Sequence, residues 1–178
     1  MSESAILSPV KVQKRLNAAS GFLDLRMPDE AIGELEVLLA DDVLSQLRPV
    51  KRFHGEALIE LERFEQAREI YVDLLQSEPE DIDAAIKKGW CEKRMGRLPA
   101  AIRTMERAVR LHPREPILQY NLACYHALAT DKARCLSRLG VAIRLDRNIA
   151  AMVADESDFD NLRQDADFNS LVRMASSV

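Results

Sequence analysis

Aromatic residues, glycine and long apolar runs are all scarce in this 178-residue sequence. Aromatic side chains make up 5% of the residues, and there are 6 glycines and 7 prolines. No apolar run approaches the roughly 20 residues that a membrane-spanning helix needs. The N-terminus also lacks a basic region followed by an apolar one. The sequence therefore predicts neither a membrane span nor a signal peptide.

The cysteine count and the net charge exclude two further classes. Three cysteines, an odd number, fit no disulfide framework. They predict buried free thiols in a reducing compartment, with the cytoplasm as the location. The net charge of −4 makes nucleic acid a poor partner. What is abundant is Ala, Leu, Arg and Glu, a composition that favours helices in a soluble globular protein.

Motifs that carry catalytic chemistry are missing as well. The sequence contains no G-x-S-x-G turn and no glycine-rich phosphate loop. Cys124 and His126 are two residues apart on a predicted helix, so they point to different sides and suit neither zinc nor catalysis. The acidic run "DESDFDNLRQDA" places Phe159 where a calcium loop needs an oxygen ligand. We predict no catalytic residue, no metal, no cofactor and no enzymatic activity.

The strongest pattern present is a repeat with a period of 34 residues. Shifting the sequence by 34 against itself superposes Gly55 on Gly89, Ala67 on Ala101 and Pro79 on Pro113. The stretches "ERFEQAREIYVDLLQSEP" and "GRLPAAIRTMERAVRLHP" share the same helical spacing of apolar residues. Each unit is therefore predicted to form two helices that end before the closing proline. The small residue in the first helix marks a close approach to a neighbouring helix.

This unit resembles the tetratricopeptide repeat, a 34-residue helix–turn–helix unit. The resemblance rests on Gly55, Ala67, Tyr71 and Pro79, on Gly89, Gly96, Ala101, Ala108 and Pro113, and on Leu122, Ala123 and Ala142. It implies an all-α tetratricopeptide-repeat α-solenoid of about four helical hairpins plus a short helical C-terminal cap, as in bacterial members. The expected parts are a lead-in at 1–11, a repeat array at 12–147 with units near 12–45, 48–81, 82–115 and 116–147, and a cap at 148–178.

Three features depart from this pattern. The first unit, matched through Ala19, Ala31 and Leu35, is two residues out of phase, which predicts a longer loop around Asp41–Pro49. Apolar family positions hold Lys51, His54 and Lys88, which predicts looser first helices or a local shift of register. The tail has no partner at 34 residues. We expect short helices there near 158–163 and 165–175, with Phe159 and Phe168 plugging the open face of the last hairpin.

The resemblance also implies a function. In the family, the first helices line a concave groove that holds a peptide or helix of another protein. This chain is thus expected to be an adaptor or scaffold with a protein partner and with no membrane or nucleic-acid partner. The alternatives are a chaperone for a secreted or assembling client and a homo-oligomerising array. The predicted groove residues are Asn17, Arg52, Glu56, Asp83, Lys87, Trp90, Arg94, Tyr120, Asn121 and Cys124.

Trp90 is the central residue of this prediction. It is the only tryptophan, and it shares one side of a helix with Lys87 and Arg94. It is either a binding anchor or a residue that packs against a neighbouring helix. Some relatives hold the carboxylate tail of a chaperone, but Asp24 and Glu56 would repel such a ligand.

The charges change sign between adjacent units. Ten acids and two bases lie between Glu56 and Asp83, whereas nine bases and three acids lie between Ile86 and Glu115. The change either draws adjacent repeats together or steers a partner of opposite charge.

Overall fold

A computed structural model describes residues 7–176. Every regular element in this range is helical, and within the same range no helix is both long and apolar enough to cross a membrane. The chain divides into two compact units, Met1–Ser77 and Glu78–Val178.

The first unit contains two helical hairpins. A 3-10 turn at Leu44–Gln46 lies in the longer connection that the phase difference predicted, and the core is built from residues such as Leu16, Ala31, Leu35 and Val50. The helices are α1 (Pro9–Asp24), α2 (Pro28–Leu39), α3 (Arg48–Glu60) and α4 (Phe64–Ser77).

The second unit contains two further hairpins and a helical tail. The hairpin helices are α5 (Ile82–Arg94), α6 (Leu98–Leu111), α7 (Pro116–Leu128) and α8 (Lys132–Leu145). The tail consists of α9 (Ile149–Asp155), a 3-10 helix at Ser157–Leu162 and α10 (Ala166–Ser176). We call Ser157–Leu162 the covering segment. The tail therefore has the two helices expected near 158–163 and 165–175, and α9 in addition.

Local signals explain where these helices start. The carboxylates of Asp81 and Asp131 each accept a hydrogen bond from the backbone amide three residues later. The distances are 3.1 Å to the Ala84 amide and 3.0 Å to the Arg134 amide. Pro116 starts α7 at a position where no backbone N–H is needed.

Each hairpin turn passes through one residue with a positive φ. These residues are Arg26, Glu62, Gly96 and Thr130, with φ of 56°, 58°, 71° and 59°. The last three are spaced 34 residues apart, and Arg26 precedes Glu62 by 36. The two extra residues match the phase difference of the first unit.

The glycines at the matching position lie at close helix contacts, as the repeat predicted. A methyl group on Gly55 would lie 2.9 Å from Cζ of Tyr71. On Gly89 it would lie 3.0 Å from Cε of Met105 and 3.5 Å from the Tyr125 ring. Each glycine thus lets its helix approach a large side chain of a neighbouring helix.

The charged residues at apolar family positions have partners. Lys51 forms an ion pair with Asp73. Lys88 Nζ lies 2.8 Å from Glu92 Oε1, and Thr104 donates to the other Glu92 oxygen at 2.7 Å. Glu92 is 1% exposed. A buried charge is tolerated when it is paired and hydrogen-bonded, so the α5–α6 contact is polar rather than loose.

Candidate functional site

The α5 face carries four of the predicted groove residues. Asp83, Lys87, Trp90 and Arg94 follow one another at helical spacing on α5, and we use the name α5 face for this row. The guanidinium carbon of Arg94 lies 5.1 Å from the centroid of the Trp90 ring, within the range of a cation–π contact. Trp90 and Lys87 are half-buried, and Arg94 is exposed. The Trp90 ring is therefore partly packed and partly accessible, and its role as a binding anchor stays a prediction.

The corresponding residues of α7 are covered by the chain itself. Tyr120 and Cys124 were predicted to line an open groove, but they are only 4% and 2% exposed. The ring of Phe159, which is 0% exposed, meets the Tyr120 ring edge-on at a centroid distance of 6.0 Å. The Tyr120 hydroxyl donates to the Met152 carbonyl at 3.4 Å. The prediction for Tyr120 and Cys124 is thus corrected, since the tail occupies the surface they present.

Polar contacts fix the covering segment on α5 and α7. Lys93 Nζ lies 2.7 Å from Asp158 Oδ2, and Asp158 is buried. The Asn161 side chain donates to the Ala127 carbonyl at 2.7 Å. On the far side Phe159 packs against Phe168, with ring centroids 5.4 Å apart. Phe159 and Phe168 therefore fill an apolar face of the last hairpin, as the sequence predicted.

Cys124 lies in an acidic and buried environment. One ligand atom each from Cys124, Glu156 and Asp158 falls within 4.8 Å of the others. Burial, followed by the nearby charges of Glu156 and Asp158, raises the pKa of the Cys124 thiol far above its usual range. The thiol is thus protonated at neutral pH, and the Lys93 ammonium already neutralises Asp158. This group is better suited to holding the tail than to nucleophilic chemistry.

The other two cysteines are buried thiols outside any disulfide, which confirms that prediction. Cys91 and Cys135 are both 0% exposed. Burial, with a smaller contribution from Asp131, raises the pKa of Cys135 to about 12.

The remaining predicted residues are spread over three helices. Asn121 donates to the Ile117 carbonyl of its own helix at 2.8 Å. In the first unit, Asn17 is exposed on α1 and accepts a hydrogen bond from Gln13, while Arg52 and Glu56 lie half-buried one turn apart on α3. Among the predicted residues, the four on α5 therefore form the largest group on a single helix.

Sequence reasoning missed Lys93 and Asp158, the ion pair that links the tail to α5. Lys93 lies three residues after Trp90, so helical spacing offered a clue. Asp158 had none, because the tail has no repeat partner and the two residues are 65 positions apart.

Comparison with known proteins agrees with this geometry. A family model for the tetratricopeptide repeat matches residues 58–123. Residues 58–123 therefore contain tetratricopeptide repeats. No curated protein sequence matches it.

Among solved structures, MamA from Desulfovibrio magneticus RS-1 is similar over 94% of this chain and 96% of its own, with 17% identity and a TM-score of 0.68. A second MamA crystal structure covers 81% of this chain and 83% of its own, with 17% identity and a TM-score of 0.69. MamA from AMB-1 covers 76% and 78%, with 19% identity and a TM-score of 0.64. These likenesses confirm the all-α, tetratricopeptide-repeat fold class. Arrays of such repeats characteristically present surfaces for binding other proteins.

Proposed function

We propose that the chain is a protein-interaction module that binds a peptide or helix of a partner protein along the α5 face. It would act as an adaptor or scaffold. The observation that carries the proposal is the half-buried Trp90 with the Arg94 guanidinium 5.1 Å from its ring centroid, beside Lys87. The proposal places the protein in the cytoplasm and includes no cofactor and no catalysed reaction.

The physical argument starts from the side chains. Tryptophan and arginine are the residues most often found at the centre of protein interfaces, because each offers large contact area together with a polar group. A partly packed ring loses little conformational freedom when a partner covers it. The α5 helix is in turn held by its polar contact with α6 through Glu92 and Thr104. The anchor is therefore presented on a rigid element rather than on a loop.

The predicted unit boundaries and the residues of the first unit belong to the same proposal. Asn17, Arg52 and Glu56 are accessible or partly accessible on the first helices of their hairpins. They remain candidates for contacts with a partner, independent of the α5 face. Four repeat units followed by a cap remain the proposed organisation.

A displayed library of random 16-residue peptides tests this function. Peptides selected on the wild-type protein are labelled, and their affinities are measured by fluorescence polarisation. We expect Trp90→Ala combined with Arg94→Ala to weaken binding by about tenfold or more, as truncation of a central anchor does. The matched control is Arg107→Ala with Arg110→Ala, two exposed residues on α6. Circular dichroism should show unchanged helicity in both variants.

The outcomes are distinct. If the selected peptides bind the Trp90–Arg94 variant as well as the wild type, the proposed function of the α5 face is wrong. A dedicated chaperone would instead select many unrelated apolar sequences, and a self-associating array would show a higher mass in size-exclusion chromatography before any peptide is added. A pull-down from native lysate with the same double variant as control then identifies the partner.

A further inference from the structure

We infer that the α5 face recognises an acidic segment that carries an aromatic side chain, supplied by the partner protein. This inference rests on the proposed function and adds the chemistry of the ligand. It is drawn from the way the second unit already binds a segment of its own chain.

The covering segment shows which chemistry this unit binds. Two consecutive residues make its main contacts, because Asp158 pairs with Lys93 at 2.7 Å and Phe159 packs on Tyr120 at 6.0 Å. A carboxylate is thus placed on a basic side chain of α5 while the neighbouring aromatic ring is placed on an aromatic ring. Charge-assisted hydrogen bonds and ring contacts of this kind give both affinity and register.

The α5 face offers the same two elements again, one step around the helix. Lys93 and Arg94 are adjacent in sequence and so lie about 100° apart around the helix axis. Lys93 contacts the covering segment, whereas Arg94 is exposed beside the indole of Trp90. Lys87 lies two turns before Arg94 on the same row. A basic side chain near an aromatic ring is therefore presented twice, by Lys93 and Tyr125 beneath the tail and by Arg94 and Trp90 at the surface.

Charge complementarity selects the sign of the ligand. Lys87 and Arg94 outnumber Asp83 on the α5 face, and the stretch from Ile86 to Glu115 has nine bases against three acids. The planar guanidinium of Arg94 matches a carboxylate in a two-pronged geometry, and an aromatic ring can stack on or meet the indole edge. An acidic segment with a phenylalanine meets both requirements. A peptide is favoured over a nucleic acid because the occupant of the neighbouring position is itself a peptide.

The experiment uses the full-length chain and four labelled probes. The first is a synthetic copy of residues 156–162, "ESDFDNL". The second replaces its phenylalanine by alanine, the third replaces its acids by the corresponding amides, and the fourth is a short oligothymidine. We expect the first probe to bind the wild type, and the second and third to bind about tenfold more weakly, since each lacks one of the two elements. Raising the salt concentration should weaken the first probe severalfold.

Three protein variants locate the binding. Trp90→Ala with Arg94→Ala should weaken the first probe by about tenfold or more, and Arg107→Ala with Arg110→Ala should leave it unchanged. Lys93→Ala should also leave it nearly unchanged, because the probe is expected beside the covering segment rather than in its place. A probe that depends on Lys93 and not on Trp90 binds by displacing the tail, and that result overturns the inference.

Other results overturn it in different ways. If the first probe does not bind at concentrations up to about 1 mM, or if the amide probe binds equally well, the inference of an acidic ligand is wrong. If oligothymidine binds as tightly as the first probe and its binding depends on Trp90, the inference of a protein ligand is wrong. In either case the proposed function survives if library peptides of another chemistry still depend on Trp90 and Arg94. The proposed function fails on a different result, namely that no peptide selected from the library depends on Trp90 and Arg94 for binding.

Discussion

The helices α5 and α7 occupy the same place in successive repeats, yet one presents a surface and the other is enclosed. Both have 13 residues, of which five are buried in α5 and nine in α7. At 34-residue spacing, Trp90 corresponds to Cys124 and Arg94 to Leu128. The repeat position determines which side of a helix a residue takes, but the tail determines whether that side is accessible. The same position is therefore partly accessible in α5 and enclosed in α7.

The two helices also differ beneath the surface. Lys88 and Glu92 of α5 correspond to Leu122 and His126 of α7, all at positions that face the hairpin partner or a neighbouring helix. The α5 pair is held by a charge network with Thr104, whereas Leu122 is fully buried without charge. Residue identity at one repeat position thus sets how each hairpin is stabilised.

The largest expected effect comes from uncovering α7. Phe159→Ala removes a fully buried ring between Tyr120 and Phe168, so the free energy of unfolding should fall by about 3–5 kcal/mol. Urea denaturation measures this change. The Cys124 thiol should also react faster with an alkylating reagent, because its cover is loosened.

Met152→Ala is the matched control, since Met152 belongs to the same tail and is 43% exposed. It should change stability by less than about 0.5 kcal/mol. A Phe159 variant as stable as this control would show that the tail does not hold α7 closed.

A change of intermediate size tests the polar contact of α5. Lys88→Met leaves the buried Glu92 carboxylate without its cation and should cost about 3 kcal/mol. Lys88→Leu together with Glu92→Leu makes α5 more like α7 and should cost far less, because no buried charge remains. Thermal denaturation of both variants gives the comparison. Equal losses in the two would mean that side-chain volume rather than charge governs this contact.

The smallest effects concern the glycines. Gly89→Leu should cost about 1–3 kcal/mol by overpacking, whereas Gly89→Ala should cost less, because the flexible end of Met105 can move. Gly55→Ala should cost more than Gly89→Ala, since the Tyr71 ring is rigid and closer.

Gly33 provides the control for this series. It lies within α2, and a methyl group added there would meet no neighbouring side chain of residues 7–176 within 4 Å. Gly33→Ala should therefore stabilise the protein by about 0.5–1 kcal/mol, because alanine favours the helix more than glycine does. An unchanged melting temperature in Gly89→Leu would show that the close contact in α5 is misassigned.

Much of the fold was predictable because it follows from local and periodic features. Gly55, Gly89, Pro79 and Pro113 marked the helix contacts and helix ends, and the phase difference of the first unit reappears in its hairpin turn at Arg26. The aromatic residues of the tail were also recognised as buried. The helix contacts, helix ends and turns depend on residues whose meaning is set within one repeat, whereas Phe159 and Phe168 stand out as apolar residues among acids.

The candidate site was predictable only in part. Helical spacing placed Lys87, Trp90 and Arg94 together, but it could not show that the tail returns over Tyr120 and Cys124. That arrangement depends on contacts such as Lys93 with Asp158, which join a periodic segment to a non-periodic one. A single sequence contains no signal that relates two such segments.

The residue with a positive φ in every hairpin turn means that substitutions at these turns can raise the melting temperature of the protein. Gly96 adopts this backbone conformation without strain, while Arg26, Glu62 and Thr130 each hold a side chain there at a cost of about 1 kcal/mol or more. Thr130 is branched at Cβ and should be the most strained of the three. Substituting glycine at these three exposed turn positions should raise the melting temperature without changing Trp90 or its neighbours.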